Sequence, residues 1–288
     1  MRLLNERNIE EHMPPRFWKD RVYKTVFRIA MLFSLCILVF LLYQIFQQGI
    51  TYISLDFLIR FASRNPEQAG IAAALSGTIL FMSVVAPTSF LFGVGTALYL
   101  EYYAKQSWFT KIIEINIQTL AGVPSVVFGL LGLTMFVYGL QLGESILAAA
   151  LTMSLLVLPT VVVAAQEALR SVPKSLLEAS YGVGATKWQT MYHVVIKEAM
   201  PGILTGCILA LSRAIGEAAP LLVIGALAFA NYVPLDVMDR FTVLPIQIFN
   251  WMNRPQEEFQ HVAAAGIIVL LLLLLLINTL AIWLRNRK

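Results

Sequence analysis

EALRSVPKSLLEASYGVGATKWQTMYHVVIKEAMP, residues 167–201, is a polar island of 35 residues between two long apolar segments. A connection of that length between membrane spans is either unstructured or a docking surface, and its internal order favours docking. Ser175 followed by Glu178 reads as a capping box, in which each side chain satisfies a free backbone N–H. Thr186 with Gln189 repeats the arrangement after the break Gly182-Val183-Gly184. The stretch therefore predicts helix, glycine turn, helix. In the second helix Trp188, Met191, Tyr192 and Val195 fall at i, i+3, i+4 and i+7, one apolar face. Two short helices held out from a membrane protein need something to pack against.

The rest of the chain makes it a membrane protein. Of 288 residues 58% are apolar and only 13% charged, where a soluble domain carries about 25% charged residues; the mean hydropathy is +0.74. Six segments are apolar and long enough to cross roughly 30 Å of hydrocarbon as helices: about 27–46, 73–100, 115–140, 144–166, 202–229 and 262–284. The expected class is an all-α membrane protein with six spans and no soluble domain. Residues 1–26 read as a basic arm resting on anionic headgroups, 27–72 as the first span and its connection, 73–284 as the core of the chain, and 285–288 as a short tail.

Lys and Arg set the orientation. Arg2, Arg7, Arg16, Lys19, Arg21, Lys24 and Arg28 surround the start of the first span, and Lys105, Lys111, Arg170, Lys174, Lys187 and Lys197 fall in the 101–114 and 167–201 connections. Arg285, Arg287 and Lys288 end the chain, whereas the alternate connections hold only Arg60, Arg64, Arg240 and Arg254. The bias predicts both termini and the 167–201 stretch in the cytoplasm. The net charge of +4 reflects this bias and does not point to nucleic acid. Cys36 and Cys207 lie inside predicted spans and read as packing residues. His12, His193 and His261 are scattered, without metal-ligand spacing or a nucleophile partner. No Gly-x-x-x-x-Gly-Lys-[Ser/Thr] phosphate loop is present, so nucleotide-driven work requires a partner.

Two places in the spans carry polar chemistry. Arg213 and Glu217 lie deep in the fifth segment, in SRAIGEAAP, four residues apart and so on one helix face. They form either an intrahelical pair that fixes packing or a site on a substrate path, since buried charge normally faces protein or a water-filled cavity. Arginine suits an oxyanion and stays charged, and Glu217 would keep the site from holding an anion too tightly to release it. The third segment contains Ala121-Gly122-Val123-Pro124-Ser125, then Phe128-Gly129 and Leu131-Gly132. This pattern predicts a broken helix or close helix contacts, with Pro124 and Ser125 as candidates to line the path. Pro87 with Thr88 and Ser89 reads as a kink or packing site.

The 167–201 stretch resembles the EAA loop of bacterial ABC importer permeases. Glu178-Ala179-Ser180, then Gly184, then Val194 and Ile196 match its pattern, and Ala185-Thr186-Lys187-Trp188-Gln189-Thr190 and Pro201-Gly202-Ile203 are also typical. Lys197 departs from it, since the family usually has proline there. Residues 120–132 and 212–220 further resemble the phosphate-specific PstA permeases rather than their PstC partners. The resemblance implies a type I importer architecture in which Glu178, Ala179, Ser180, Gly184, Ala185 and Trp188 belong to a coupling helix seated on an ATPase. It also implies a PstC-like permease, a PstB-like ATPase dimer that uses ATP and Mg, and a PstS-like phosphate-binding protein. The substrate would be inorganic phosphate, the location the bacterial inner membrane, and the chain itself neither an enzyme nor a cofactor carrier. Other readings are a permease for phosphonate, sulfate or molybdate, or a sensory or structural membrane subunit.

Overall fold

The computed structural model describes residues 14–105, 107–226 and 229–286, and the expected arm residues 1–13 and the final two cations lie outside them. Helix α1 runs Pro14–Gly49. A short α2, Leu55–Ile59, follows with Ser54 as its N-cap, then α3, Ala72–Leu98. The third segment divides into α4, Trp108–Leu120, and α5, Ser125–Gly132. Helix α6, Ile146–Arg170, is followed by α7, Lys174–Gly182, and α8, Lys187–Thr190. The chain then forms α9, Ile196–Gly216, and α10, Ala219–Ile224. It ends with α11, Leu244–Met252, and α12, Glu258–Asn286. Among the described residues five helices are long and apolar enough to cross a membrane, and there are six if α4 and the Ser125–Gly139 segment that begins with α5, bent by 109° to each other, count as one span.

Helix α6 is the axis of the bundle. It packs on α3 and on α9, and sixteen of its residues, among them Met153, Val161, Val162 and Leu169, are buried. Small residues set the distances. A Cβ on Gly202 would lie 2.8 Å from the Ala168 Cβ, and one on Gly206 would collide with Ala164. The stretch Gly202-x-x-x-Gly206 therefore lets α9 and α6 approach closely, where dispersion contacts rather than hydrophobicity hold helices together in lipid. In the middle of the bundle, Thr88 Oγ1 and Ser154 Oγ meet at 2.6 Å between α3 and α6, so the Pro87-Thr88-Ser89 stretch packs against α6.

Two ends can be told apart. At the near end lie the α3–α4 connection, the Gly182–Thr186 turn and the C-terminal end of α12. At the far end α2, α11 and the start of α12 form a second apolar cluster around Phe57, Ile71, Trp251 and Phe259. The 229–243 segment lies over this end. Phe241 stacks on Phe81 of α3 at 6.4 Å, and Ile146 and Leu147 N–H groups donate to Asp239 and Val237 carbonyls. Glu144 pairs with Arg240 across it. The Asp239 carboxylate accepts from the N–H groups of Asp236 and Leu235, which hold it below the usual carboxylate range.

Several sequence expectations are corrected. Residues 14–26 are not an arm separate from the first span, because α1 begins at Pro14 and runs into that span without a break; proline is well placed at a helix start, where its missing N–H costs nothing. The Ser175–Glu178 capping box does not form. Pro173 occupies the N-cap and no side chain caps the helix, which leaves Ser175 already inside the first turn. The Thr186–Gln189 box does form, with Thr186 N donating to Gln189 Oε1 at 2.9 Å and Gln189 N to Thr186 Oγ1 at 3.3 Å. The second short helix is no separate element: α8 passes through a π turn, Met191–Val195, into α9. Pro201 accordingly sits inside α9 and does not end it.

The single spans expected at 115–140 and 202–229 are each interrupted. Helix α4 stops at Leu120 and α9 at Gly216, each four residues before a proline, Pro124 and Pro220. A proline ring clashes with the carbonyl four residues back and supplies no N–H to it. Pro87, Pro159 and Pro201 stay inside helices. The breaking prolines differ in having a glycine among the four preceding residues, Gly122 and Gly216, and glycine costs a helix about 1 kcal/mol relative to alanine, so the chain leaves the helix there most readily.

Candidate functional site

The two breaks meet. Helix α10 packs on α5, and a Cβ on Gly129 would lie 2.8 Å from the Pro220 Cα and 3.0 Å from the Val223 Cβ. Glycine at 129 is thus what permits the two half-helices to cross, and Gly132 faces Thr152 of α6 in the same way. The structure therefore joins the two sequence patterns that the apolar breakers marked separately.

Arg213 sits in the last turn of α9 and is exposed on the surface of the chain, while Glu217 is half-buried. They do not form an intrahelical pair. The Pro220 break puts Glu217 in extended backbone at φ −86° and ψ 118°, so the four-residue alignment of a continuous helix is lost. Among the described residues neither side chain has an ion pair or hydrogen bond. Ser125 opens α5 behind Pro124 and is half-buried. Mid-helix hydroxyls such as Thr152 and Ser154 bond to the carbonyl four residues back. Ser125 has no such helical carbonyl behind it, and its hydroxyl is without a partner among the described residues. Along the chain the crossing of α5 and α10 is thus flanked by the Ser125 hydroxyl on one side and by the Glu217 carboxylate and the Arg213 guanidinium on the other.

The near end is built from the quoted stretch. Gly184 has φ +83°, a conformation that costs other residues strain. Its N–H donates to the Tyr181 carbonyl at 2.9 Å, and Ala185 N donates to Ser180 O at 3.2 Å. Ser180 Oγ and Thr190 Oγ1 lie 2.9 Å apart and close α7 onto α8. The expected apolar face of the second helix splits in two. Met191 and Val195 are buried in the core, whereas Trp188 is 64% exposed and stacks on exposed Tyr192 at 6.3 Å. Helix spacing alone cannot tell these halves apart, because residues three and four apart share a face only about as wide as one contact. Leu176, Tyr181 and Val183, the last 85% exposed, add to Trp188 and Tyr192 as exposed apolar residues of the same tip. Glu178 and Ala179 are exposed there as well.

The tip is fastened to the spans behind it by contacts that the sequence reading passes over. Arg170 Nε pairs with Glu101 Oε2 at 2.8 Å, the Tyr102 hydroxyl donates to Leu169 O at 3.2 Å, and Lys187 Nζ lies 4.7 Å from the Tyr103 ring centroid. No group of His, Cys, Asp and Glu able to hold a metal occurs among the described residues.

Residues 89–287 match the family described as the inner membrane component of binding-protein-dependent transport systems. The chain belongs to this family. Among its relatives, the phosphate transport system permease protein PstA 1 of Mycobacterium tuberculosis is 34% identical over 243 residues, covering 83% of this chain and 79% of that one. PstA of Yersinia pestis is 31% identical over 91% of this chain and 88% of its own length. A probable ABC transporter permease of Bacillus subtilis, YqgI, is 31% identical over 92% and 94%. Among solved structures, a bacterial alginate ABC transporter superposes with a TM-score of 0.65 at 16% identity over 94% of this chain and 99% of that chain. An inward-facing MetNI methionine transporter gives 0.56 at 17% identity over 73% and 90%. The fold is that of ABC importer permeases, and the protein is a transport permease subunit of the membrane, not an enzyme.

Proposed function

We propose that this chain is one permease half of an ATP-driven importer of inorganic phosphate in the bacterial inner membrane. The observation that carries this reading is the likeness to two PstA permeases over most of both lengths, together with an exposed Arg213, without an ion pair among the described residues, beside a broken span. The same likeness supports a PstC-like permease as the other half, a PstB-like ATPase dimer consuming ATP and Mg, and a PstS-like binding protein that delivers the anion. The charge bias supports a cytoplasmic near end with both termini on that side.

In this reading Arg213 and Glu217, with Pro124 and Ser125, line the path that the two permeases share. A guanidinium gives a tetrahedral oxyanion paired donors without a proton transfer. Glu217, released from the helix by the break, limits how long the anion stays. Residues 173–197 rest on the ATPase. Glu178, Ala179, Ser180, Gly184, Ala185 and Trp188 form or support the contact, and the Arg170–Glu101 pair passes its movement to α3 and α6. Closure of the ATPase then rocks the spans between two openings.

Reconstituted into vesicles with its partners, the complex is expected to take up phosphate, with excess sulfate competing poorly. Arg213→Gln is expected to cut uptake at least tenfold while the complex still assembles. Uptake at the original rate and affinity would remove Arg213 from the path, and equal competition by sulfate would remove the phosphate assignment.

A further inference from the structure

The last span holds seven consecutive leucines, Leu270 to Leu276, and then one amide, Asn278. An amide in so apolar a helix is costly unless hydrogen-bonded. Asn278 Oδ1 lies 2.7 Å from the hydroxyl of Ser212, the residue immediately before Arg213. The single Ser212 proton is shared between that oxygen and the Ile208 carbonyl, also at 2.7 Å. Towards the near end, Arg285 Nη1 donates to Thr205 Oγ1 at 2.8 Å. Residues 205 and 212 are seven apart on α9, and 278 and 285 are seven apart on α12. The two helices, running antiparallel, are thus tied at two points of one stripe, about 10.5 Å apart along the axis. Two bonds on one stripe keep that stripe of α9 against α12 and stop it tilting or sliding, and the close packing of α9 on α6 blocks the remaining swing about the line that joins them. Successive residues on a helix are about 100° apart. Holding Ser212 against α12 therefore turns Arg213 away from α12, to the side where it is exposed.

We infer that Asn278 is a positioning residue that, through Ser212, sets the direction in which Arg213 leaves the bundle. What Arg213 then does rests on the phosphate reading, but the positioning itself does not. The test uses the assembled complex with Cys36→Ala, Cys207→Ala and Arg213→Cys, and reads the alkylation rate at position 213 with a charged, membrane-impermeant maleimide. Adding Asn278→Leu, which keeps the volume and loses the bond, is expected to change that rate about threefold or more, as the loss of one interhelical polar bond in a membrane allows. Ser212→Ala should do the same if Asn278→Leu fails to assemble, and should add nothing to it where both assemble. The exchange Ser212→Asn with Asn278→Ser should return the rate towards its starting value. An unchanged rate in Asn278→Leu or Ser212→Ala, or fully additive effects, would overturn the inference. With Arg213 present, Asn278→Leu is expected to raise the KM for phosphate several-fold with kcat largely kept. If Arg213→Gln transports normally, the path reading falls while the alkylation result still decides the role of Asn278.

Discussion

At the scale of single residues, prolines and glycines decide where this chain stops being helical. Pro124 and Pro220 end the helices four residues before them, and Gly129 lets the resulting half-helices cross at Pro220. A side chain at 129 must displace Pro220 backbone, which packed interiors resist. Gly129→Leu is therefore expected to destabilise the chain by about 1–3 kcal/mol, the usual cost of overpacking, seen as a lower Tm of the purified complex. An unchanged Tm would mean that the crossing is not close. Part of this was legible beforehand: glycines and a proline in the third segment do announce a break. The break in the fifth segment was written in the same pattern, but the apolar length of 202–229 read as one span. The missed signal is a glycine within four residues ahead of a proline, which separates Pro124 and Pro220 from Pro87, Pro159 and Pro201.

At the scale of elements, the near-end tip is a helix, a left-handed glycine and a capped helix that continues into a span. Because α8 runs through a π turn into α9, a load on Trp188 or Tyr192 reaches the end of α9, where Arg213 sits, along one nearly continuous helical rod. Gly184 is the hinge of the tip at φ +83°, and proline demands about −65° there. Gly184→Pro is expected to leave membrane insertion intact while the ATPase no longer co-purifies or its hydrolysis no longer follows transport. Normal coupling in that variant would contradict the docking role. The capping box at Thr186 was readable because its two partners lie three residues apart in sequence. The split of the apolar face was not, since which of Met191 and Trp188 is covered depends on where α6 and α3 lie.

At the scale of the whole molecule, alternating connections gather at two ends, and the cation-rich ones share the near end. Helix α1 reaches the far end at Gly49, which packs on Ala264 and Ala265 at the start of α12, and Arg285 returns α12 to the near end at Thr205. The exposed tip then gives a direct test of orientation. In a chain carrying Cys36→Ala and Cys207→Ala, Val183→Cys is expected to react with an impermeant maleimide in inverted vesicles and not in right-side-out ones. The opposite pattern would reverse the proposed topology.

By itself the sequence determined the class and the grouping of the connections, because hydrocarbon thickness and charge act on composition over twenty residues at a time. It also determined the glycine turn at 184, where glycine takes the positive-φ backbone with least strain. Only the tertiary structure decided that the two breaks cross at Gly129 and Pro220, and that Asn278 holds Ser212. Those outcomes depend on contacts between segments 66 to 91 residues apart, and no local pattern encodes which helices will be neighbours.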